Sequence, residues 1–139
     1  MLNNVEWTNP HAVDLTKGTG VLYFIRVTEG LSGIEYKYVG QTIDGRRRFG
    51  EYRNNVSKIF EGMPRRTTRG QEKYRPVHLA LAKACQYSWD YEFFPLENAN
   101  VEDLNTVEQR RRIELGCGLN VRWSWDVKDY ARLCMTDIP

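Results

Sequence analysis

Residues 20–41 read GVLYFIRVTEGLSGIEYKYVGQ and decide the fold of this 139-residue chain. The first part of the segment is rich in β-branched and aromatic residues, and the last part alternates apolar and polar residues. Glu-Gly-Leu-Ser-Gly lies between them, so the pattern predicts a β-hairpin with a long turn. If Val27 pairs with Ile34, Tyr23 lies directly opposite Tyr38, with the two Cβ atoms about 5 Å apart on one face of the sheet.

Three helices and one further strand are predicted after the hairpin. Asp44 is placed to cap the first helix, Pro76 suits the first turn of the second, and glycines end the third. The predicted bounds are about Asp44 to Phe60 and Val77 to Gln86 for two helices, 89–96 for the strand, and Glu102 to Leu115 for the last helix. We therefore expect an α+β fold, a small three-stranded, mainly antiparallel sheet flanked by helices.

Length and composition indicate one globular domain over residues 1–139. The hydrophobic fraction is 41%, the charged fraction is 27%, and the mean hydropathy is −0.61. We expect a motif-bearing core at about 20–120, an irregular arm at 1–17 and a C-terminal tail at 121–139. Because no apolar segment could span a bilayer and the N-terminus lacks a secretory pattern, we expect a cytoplasmic protein with no membrane partner.

Cysteine and histidine are scarce, which limits the chemistry that the chain can perform. It has three cysteines and two histidines, and the cysteines form no C-x-x-C pair. These numbers argue against a structural zinc site and against a Ser-His-Asp mechanism. Any catalysis must therefore use other groups.

Positive charge is concentrated in residues 46–75, although the whole chain has a net charge of only +2. That stretch holds ten of the twenty Lys and Arg residues against three acids, which gives it a net charge of +7. Such clustering is typical of a surface that contacts nucleic-acid phosphates, and the alternative is a solvated basic helix and loop. The residues assigned to contact DNA, expected to be duplex, are Arg46, Arg47, Arg53, Arg65, Arg66 and Arg69.

Five short segments stand at spacings that together define a candidate site. They are VLYFI at 21–25, YVGQT at 38–42, RFGEY at 48–52, EQRRRI at 108–113 and LN at 119–120. As a set they resemble the successive motifs of the GIY-YIG nuclease family, over about residues 20–120. In size and layout the chain is most similar to the small phage endonucleases and compact restriction enzymes of that family. It departs from the first motif, where Val21 and Leu22 replace Gly and Ile.

Arg48 and Tyr52 stand four residues apart and so share one face of the first helix near its N-terminus. The helix dipole favours an anion there, and an arginine fork offers fixed donors to a phosphate. The two side chains are therefore predicted to grip a phosphate. The alternative is that Arg48 is one more surface arginine in the Arg-Arg-Arg run.

The resemblance assigns Tyr23 as the general base for the attacking water and Tyr38 as its partner, with exchangeable roles. A tyrosine titrates near 10, so either can act as a base near neutrality only beside positive charge such as Arg48. Core packing is the alternative for Tyr23. Many relatives have a basic residue directly after the glycine of the second motif, where this chain has Gln41. We expect Arg46, Arg47 or Lys37 to supply that charge.

Glu108 stands at the margin of the apolar face of the last helix, where a carboxylate needs a partner. The resemblance implies that it is the single protein ligand of Mg²⁺, or of Mn²⁺ in its place, with water and substrate phosphate completing the shell. The alternative is a salt bridge to Arg111 or Arg112. Asn120 is expected to orient the site, and Arg48 and Glu108 are expected to approach the same cleft.

The resemblance implies a metal-dependent DNA endonuclease that leaves 5′-phosphate and 3′-hydroxyl ends. One such site cuts one strand at a time, so cleavage of both strands would require a homo-oligomer. Two alternatives are a DNA-binding or regulatory protein that does not cleave and a nuclease for RNA or branched DNA.

Overall fold

The computed structural model describes residues 4–67 and 69–139; three residues of the predicted arm and Thr68 of the basic loop lie outside the described residues. The strands are β1 (Val21–Thr28), β2 (Glu35–Thr42) and β3 (Tyr91–Asn98), and the helices are α1 (Gly45–Phe60), α2 (Pro76–Tyr87) and α3 (Leu104–Leu115). Short 3₁₀ turns span Val101–Asp103, Val127–Arg132 and Met135–Asp137. The strands form one antiparallel sheet in the order β2-β1-β3, and the expected α+β architecture is confirmed.

The register of the hairpin differs from the predicted one by two residues. Val27 pairs with Tyr36, and Tyr23 pairs with Gly40 rather than with Tyr38. The reason is the turn, in which the N–H of Glu29 donates to the carbonyl of Ile34 and keeps that residue out of β2. Since side chains alternate along a strand, a shift of two keeps Tyr23 and Tyr38 on one face. Their ring centroids are 6.2 Å apart.

Alternation along β1 divides the core between the two faces of the sheet. Val21, Tyr23 and Ile25 belong to the larger cluster, which includes the buried side chains of α1 and α2. Leu22 packs instead with Val39 and Leu104, the first residue of α3. The sheet therefore separates α1 and α2 from α3.

The second helix and the C-terminal tail complete the larger cluster. Every residue of α2 from Pro76 to Cys85 is buried. In the tail, the backbone of Trp125 exchanges two hydrogen bonds of 2.9 Å with Tyr74, and its indole N–H donates to the carbonyl of Arg75 at 3.1 Å. The tail thus packs on the chain just before α2 and fixes the entry to that helix.

Two predicted details of the helix and strand ends need correction. Asp44 is the N-cap residue of α1, but its side chain makes no capping hydrogen bond; its N–H donates to the Thr42 hydroxyl at 3.0 Å. The third strand begins at Tyr91, two residues later than predicted, because Ser88 is left-handed and the N–H of Trp89 bonds back to Ala84 in α2. Across the described ranges, no helix has the length and apolar character needed to cross a bilayer.

Candidate active site and basic cleft

Tyr23 crosses over Gly40 of the edge strand β2. A Cβ added to Gly40 would lie 2.4 Å from Cζ and 2.5 Å from the hydroxyl oxygen of Tyr23, well inside any tolerated contact. A glycine is therefore required opposite Tyr23, because only a residue without a side chain leaves room for the ring. The second motif thus places the Tyr23 hydroxyl at the edge strand.

The hydroxyls of Tyr23 and Tyr52 form a hydrogen bond of 2.7 Å inside the core. Tyr52 comes from α1, and its side chain and that of Tyr23 are 1% and 0% exposed. Tyr52 was predicted to grip a phosphate with Arg48. Its hydroxyl oxygen instead forms this hydrogen bond with Tyr23, so any contact between the Tyr52 hydroxyl and a phosphate would be made alongside that bond.

Burial acts on both hydroxyls of this pair. It raises the pKa of Tyr23, and the neighbouring Tyr38 raises that pKa further, while Arg48 and Arg75 act in the opposite direction without compensating. The pKa of Tyr52 is also raised, first by burial and then by Tyr23. Desolvation therefore outweighs the positive charge that was expected to favour a Tyr23 phenolate.

Tyr38 has a different partner, because the Nη1 atom of Arg75 donates to its hydroxyl at 3.1 Å. The Arg75 guanidinium carbon also lies 5.7 Å from the centre of the Tyr38 ring. Burial lowers the pKa of Arg75, but Tyr52, Tyr38 and Tyr23 raise it by more, so the guanidinium stays charged. The positively charged Arg75 guanidinium is therefore held next to the Tyr38 oxygen.

Arg75 is a site residue that the sequence reasoning missed. The charge absent at Gln41 was expected from Arg46, Arg47 or Lys37, but the residue that contacts a motif tyrosine is Arg75. The available signal was its place directly before Pro76, because a residue before proline is extended and here precedes a helix. Arg75 is extended, with φ −92° and ψ 165°.

Tyr52 and Arg75 also line an open cleft of about 540 Å³ between α1, the loop before α2 and the start of α2. Its basic lining residues outnumber its single acidic one, Glu51. The basic ones are Arg47, Arg48, Lys58, Arg65, Arg66, Arg69 and Arg75. Tyr23 lies behind Tyr52, and Tyr38 lies behind Arg75. The cleft therefore offers a strongly positive surface backed by the tyrosines.

Arg48 lies in the cleft as predicted, near the N-terminus of α1. Its Nε atom is 3.4 Å from the Glu51 carboxylate, which also lies 3.3 Å from Arg47. Burial lowers the pKa of Arg48, but interaction with Tyr23 raises it, and the net shift is upward. Arg48 is therefore a permanent cation beside the tyrosine pair.

The six arginines assigned to DNA separate into two groups. Arg47, Arg65, Arg66 and Arg69 line the cleft. Arg46 lies over the Trp7 ring at 5.9 Å, and Arg53 donates to the carbonyl of Val5 at 3.1 Å. These two arginines therefore hold the N-terminal arm against α1, and neither lines the cleft.

His78, in the first turn of α2, is 1% exposed and lies under the cleft. Its Nδ1 atom accepts the N–H of Arg75 at 3.1 Å, and its Nε2 atom lies 3.3 Å from the side-chain amide of Asn55. Burial and then Arg75 and Arg65 lower the pKa of His78 well below its usual value. A neutral histidine therefore positions Arg75 through the backbone.

Asn120 braces the outer edge of β2. Its side chain accepts the N–H of Val39 at 3.0 Å and donates to the Val39 carbonyl at 2.7 Å, as a neighbouring strand would. Val39 immediately precedes Gly40. The expected orienting role of Asn120 thus has a geometric basis, since it fixes the strand that carries Tyr38 and Gly40.

Glu108 lies on the other side of the sheet from the cleft and does not line it. Its helix packs on Leu22 and Val39, and its carboxylate accepts a long hydrogen bond of 3.3 Å from the Gln41 amide. The expectation that Glu108 and Arg48 share one cleft is not met, because odd-numbered residues of β2 face α3. Glu108 nevertheless contacts Gln41, the residue that follows Gly40 on β2, so only this edge strand separates Glu108 from Tyr23.

The surroundings of Glu108 fit a magnesium ligand. In the described parts of the chain its carboxylate has no basic partner, since Arg111 pairs with Glu97 and Glu114 while Arg112 donates to the Asn120 carbonyl. The described residues contain no group of three or more His, Cys, Asp or Glu side chains able to hold a metal. A cation at Glu108 would therefore take most of its ligands from water and substrate, as Mg²⁺ commonly does.

Comparison with protein-family models, with curated proteins and with solved structures found no match for this chain. The resemblance to the GIY-YIG family therefore depends on the motif residues and their spacing.

Proposed function

We propose that this protein is a magnesium-dependent DNA endonuclease whose substrate backbone lies in the basic cleft. The proposal rests on one observation, that three motif tyrosines are connected to that cleft. Tyr52 lines the cleft and is hydrogen-bonded to Tyr23, and Arg75 lines the cleft and donates to Tyr38. Seven cations around one carboxylate suit a polyanion such as DNA. The site contacts phosphate groups, which are common to all sequences.

The geometry favours Tyr38 over Tyr23 as the group that accepts the proton of the attacking water. Tyr23 is fully buried, and its hydroxyl is engaged by Tyr52. Tyr38 is 7% exposed and receives a charged hydrogen bond from Arg75, which stabilises negative charge on its oxygen. The Tyr23–Tyr52 pair then has a positioning role.

In the proposed reaction the oxygen of a water molecule bonds to phosphorus and one of its protons passes to the ionised oxygen of Tyr38. The bond from phosphorus to the 3′ oxygen breaks, and that oxygen leaves with the electron pair and takes a proton from solvent. Arg48 stabilises the charge that develops on the phosphoryl oxygens. Glu108, separated from the cleft by the edge strand, would hold Mg²⁺, and the leaving strand would have to cross that edge for the cation to supply positive charge to its 3′ oxygen. The products carry 5′-phosphate and 3′-hydroxyl ends.

A second candidate is a DNA-binding protein that does not cleave. It is favoured by the burial of the Tyr23 and Tyr52 hydroxyls and by the absence of Glu108 from the cleft lining. Both candidates predict binding to duplex DNA, and only the first predicts new strand ends.

Incubation of the full chain with supercoiled plasmid separates the two candidates. We expect nicked circles with Mg²⁺, none with chelator, and 5′-phosphate ends in end-labelling. Linear product that rises with protein concentration would indicate cleavage of both strands by an oligomer. Binding without nicking of plasmid, branched DNA or RNA would overturn the proposal in favour of the second candidate.

A further inference from the structure

Arg65 and Arg75 line the cleft, and each has at least one guanidinium donor that no group of the described residues accepts. The Nε and Nη1 atoms of Arg65 and the Nε atom of Arg75 are buried and have no hydrogen-bond partner among the described residues. A buried charge without a partner is costly, and such a donor is usually satisfied by another group or by a ligand. These orphaned donors point to a ligand with several acceptor oxygens.

The surroundings leave the two guanidiniums without a counter-charge. In the described part of the chain, no carboxylate forms an ion pair with Arg65 or Arg75, while the cleft's one acid, Glu51, pairs with Arg47 and Arg48. Burial and then the charges of Arg75 and Arg48 lower the pKa of Arg65. The guanidiniums therefore repel one another, and an anion between them would relieve that repulsion.

The chain also holds both arginines in place. The N–H of Arg65 donates to the carbonyl of Glu72 at 2.9 Å and closes the loop. Arg75 is held by its backbone contact to His78 and by its bond to Tyr38. Guanidinium forks fixed in this way match the oxygen geometry of a phosphate.

We propose that Arg65 and Arg75 form a subsite for a second, non-scissile phosphate of the bound strand, separate from the scissile phosphate at Arg48. This inference rests on the proposed function for the identity of the ligand as a phosphodiester. Because Arg75 also contacts Tyr38, occupation of the subsite fixes the guanidinium that holds the Tyr38 oxygen. Binding of a phosphate at this subsite thereby orients Tyr38, which acts at the scissile phosphate.

Pyrophosphate tests the subsite without DNA, metal or cleavage. The full chain is titrated with sodium pyrophosphate in chelator at constant ionic strength, and binding is followed by calorimetry and by thermal unfolding. We expect saturable binding that Arg65→Gln and Arg75→Gln each weaken by about tenfold or more, the effect of losing a charged hydrogen bond. The matched control is Arg66→Gln, an adjacent exposed arginine of the same cleft, which should weaken binding by less than about threefold.

A second measurement keeps the test decisive if Arg75→Gln does not fold. Without anion, Arg65→Gln should raise the melting temperature, because it removes an unpaired buried charge, and Arg75→Lys should keep the charge yet lose most of the pyrophosphate affinity. No binding to the unmutated chain, or equal losses for Arg65→Gln and Arg66→Gln, would overturn the subsite. If pyrophosphate binds through these arginines but the protein does not nick plasmid, the proposed function is contradicted and the subsite stands. If the protein nicks plasmid but Arg65→Gln does not weaken pyrophosphate binding, the subsite is contradicted and the proposed function stands.

Discussion

Tyr38 and Gln41 lie three residues apart on β2, yet their surroundings are opposite in kind. Tyr38 faces the Tyr23 ring and the Arg75 guanidinium, and its side of the sheet is closed by α1 and α2. Gln41 faces polar oxygens, with its amide 2.6 Å from the Asn105 side chain and 3.3 Å from Glu108. Under the proposed function, one face would hold phosphate and the other a cation, with Gly40 between them. An edge strand places both within a few residues because its side chains alternate.

The largest expected effect comes from removing the carboxylate on the Gln41 side. Glu108→Ala should lower Mg²⁺-dependent nicking by about a hundredfold or more, since even partners of metal ligands cost 10–100-fold. DNA affinity should change by less than about twofold, because the cleft arginines remain. Glu114→Ala, an exposed acid of the same helix, is the control and should keep full activity. Unchanged nicking by Glu108→Ala would place the metal elsewhere.

The boundary between the two faces is tested by Gly40→Ala. The added methyl group would meet the Tyr23 ring, so the free energy of unfolding should fall by about 1–3 kcal/mol, as for other overpacked cores. Urea unfolding measures the change. Gly50→Ala in α1 is the control, because its Cβ would meet nothing within 4 Å and should stabilise the helix by about 0.5–1 kcal/mol. Equal stability of Gly40→Ala and the unmutated chain would show that Tyr23 does not lie over Gly40.

The free energy of unfolding at alkaline pH should depend on the buried pair Tyr23 and Tyr52. Burial raises the pKa of Tyr23 above its usual value, so above about pH 10 the unfolded chain has lost a proton that the folded chain keeps. Stability should therefore fall as pH rises, by about 1.4 kcal/mol per pH unit for each such tyrosine. Tyr23→Phe should make this slope shallower by about one proton, and Tyr87→Phe at an exposed position should not. Identical slopes for Tyr23→Phe and the unmutated chain would contradict the buried assignment.

The smallest effects are expected from the exposed arginines at the mouth of the cleft. If each contacts one phosphate, Arg66→Ala with Arg69→Ala should reduce the slope of log affinity against log salt by about 1.8, and adding Arg65→Ala by about 2.7 in all. Fluorescence anisotropy on two unrelated duplexes measures both values. An unchanged slope on both duplexes would show that Arg65, Arg66 and Arg69 do not contact the DNA backbone.

The fold was largely predictable because its signals are local. The local signals are the β-branched and aromatic residues of β1, Pro76 at the start of α2 and Gly116 at the end of α3, and each acts over a few residues. The hairpin register was not predictable in the same way, because it depends on which residues form the turn. The turn lies between Thr28 and Glu35, one residue further along the chain than the predicted turn between Val27 and Ile34, and the predicted pairing was therefore wrong by two residues.

The site was predictable only where a residue's neighbours lie on its own element. Arg48 near the start of α1 follows from helix geometry, and it lines the cleft. The pairing of Tyr52 with Tyr23 and of Arg75 with Tyr38 joins side chains 29 and 37 residues apart, and no periodicity encodes such contacts. The side of the sheet on which Glu108 lies depends on the packing of α3 against Leu22 and Val39, which sequence spacing does not reveal.

We propose that the cation site lies on the Gln41 face of β2, next to the tyrosines and outside the cleft. Titration of the ¹⁵N-labelled full chain with Mn²⁺, followed by NMR, tests this most directly. We expect the backbone amides of Gln41 and Glu108 to broaden first, at the lowest Mn²⁺ concentration, and Glu108→Ala to abolish that early broadening. Early broadening centred on the acidic residues of the tail, such as Asp126 and Asp129, or an unchanged pattern in Glu108→Ala, would contradict the claim.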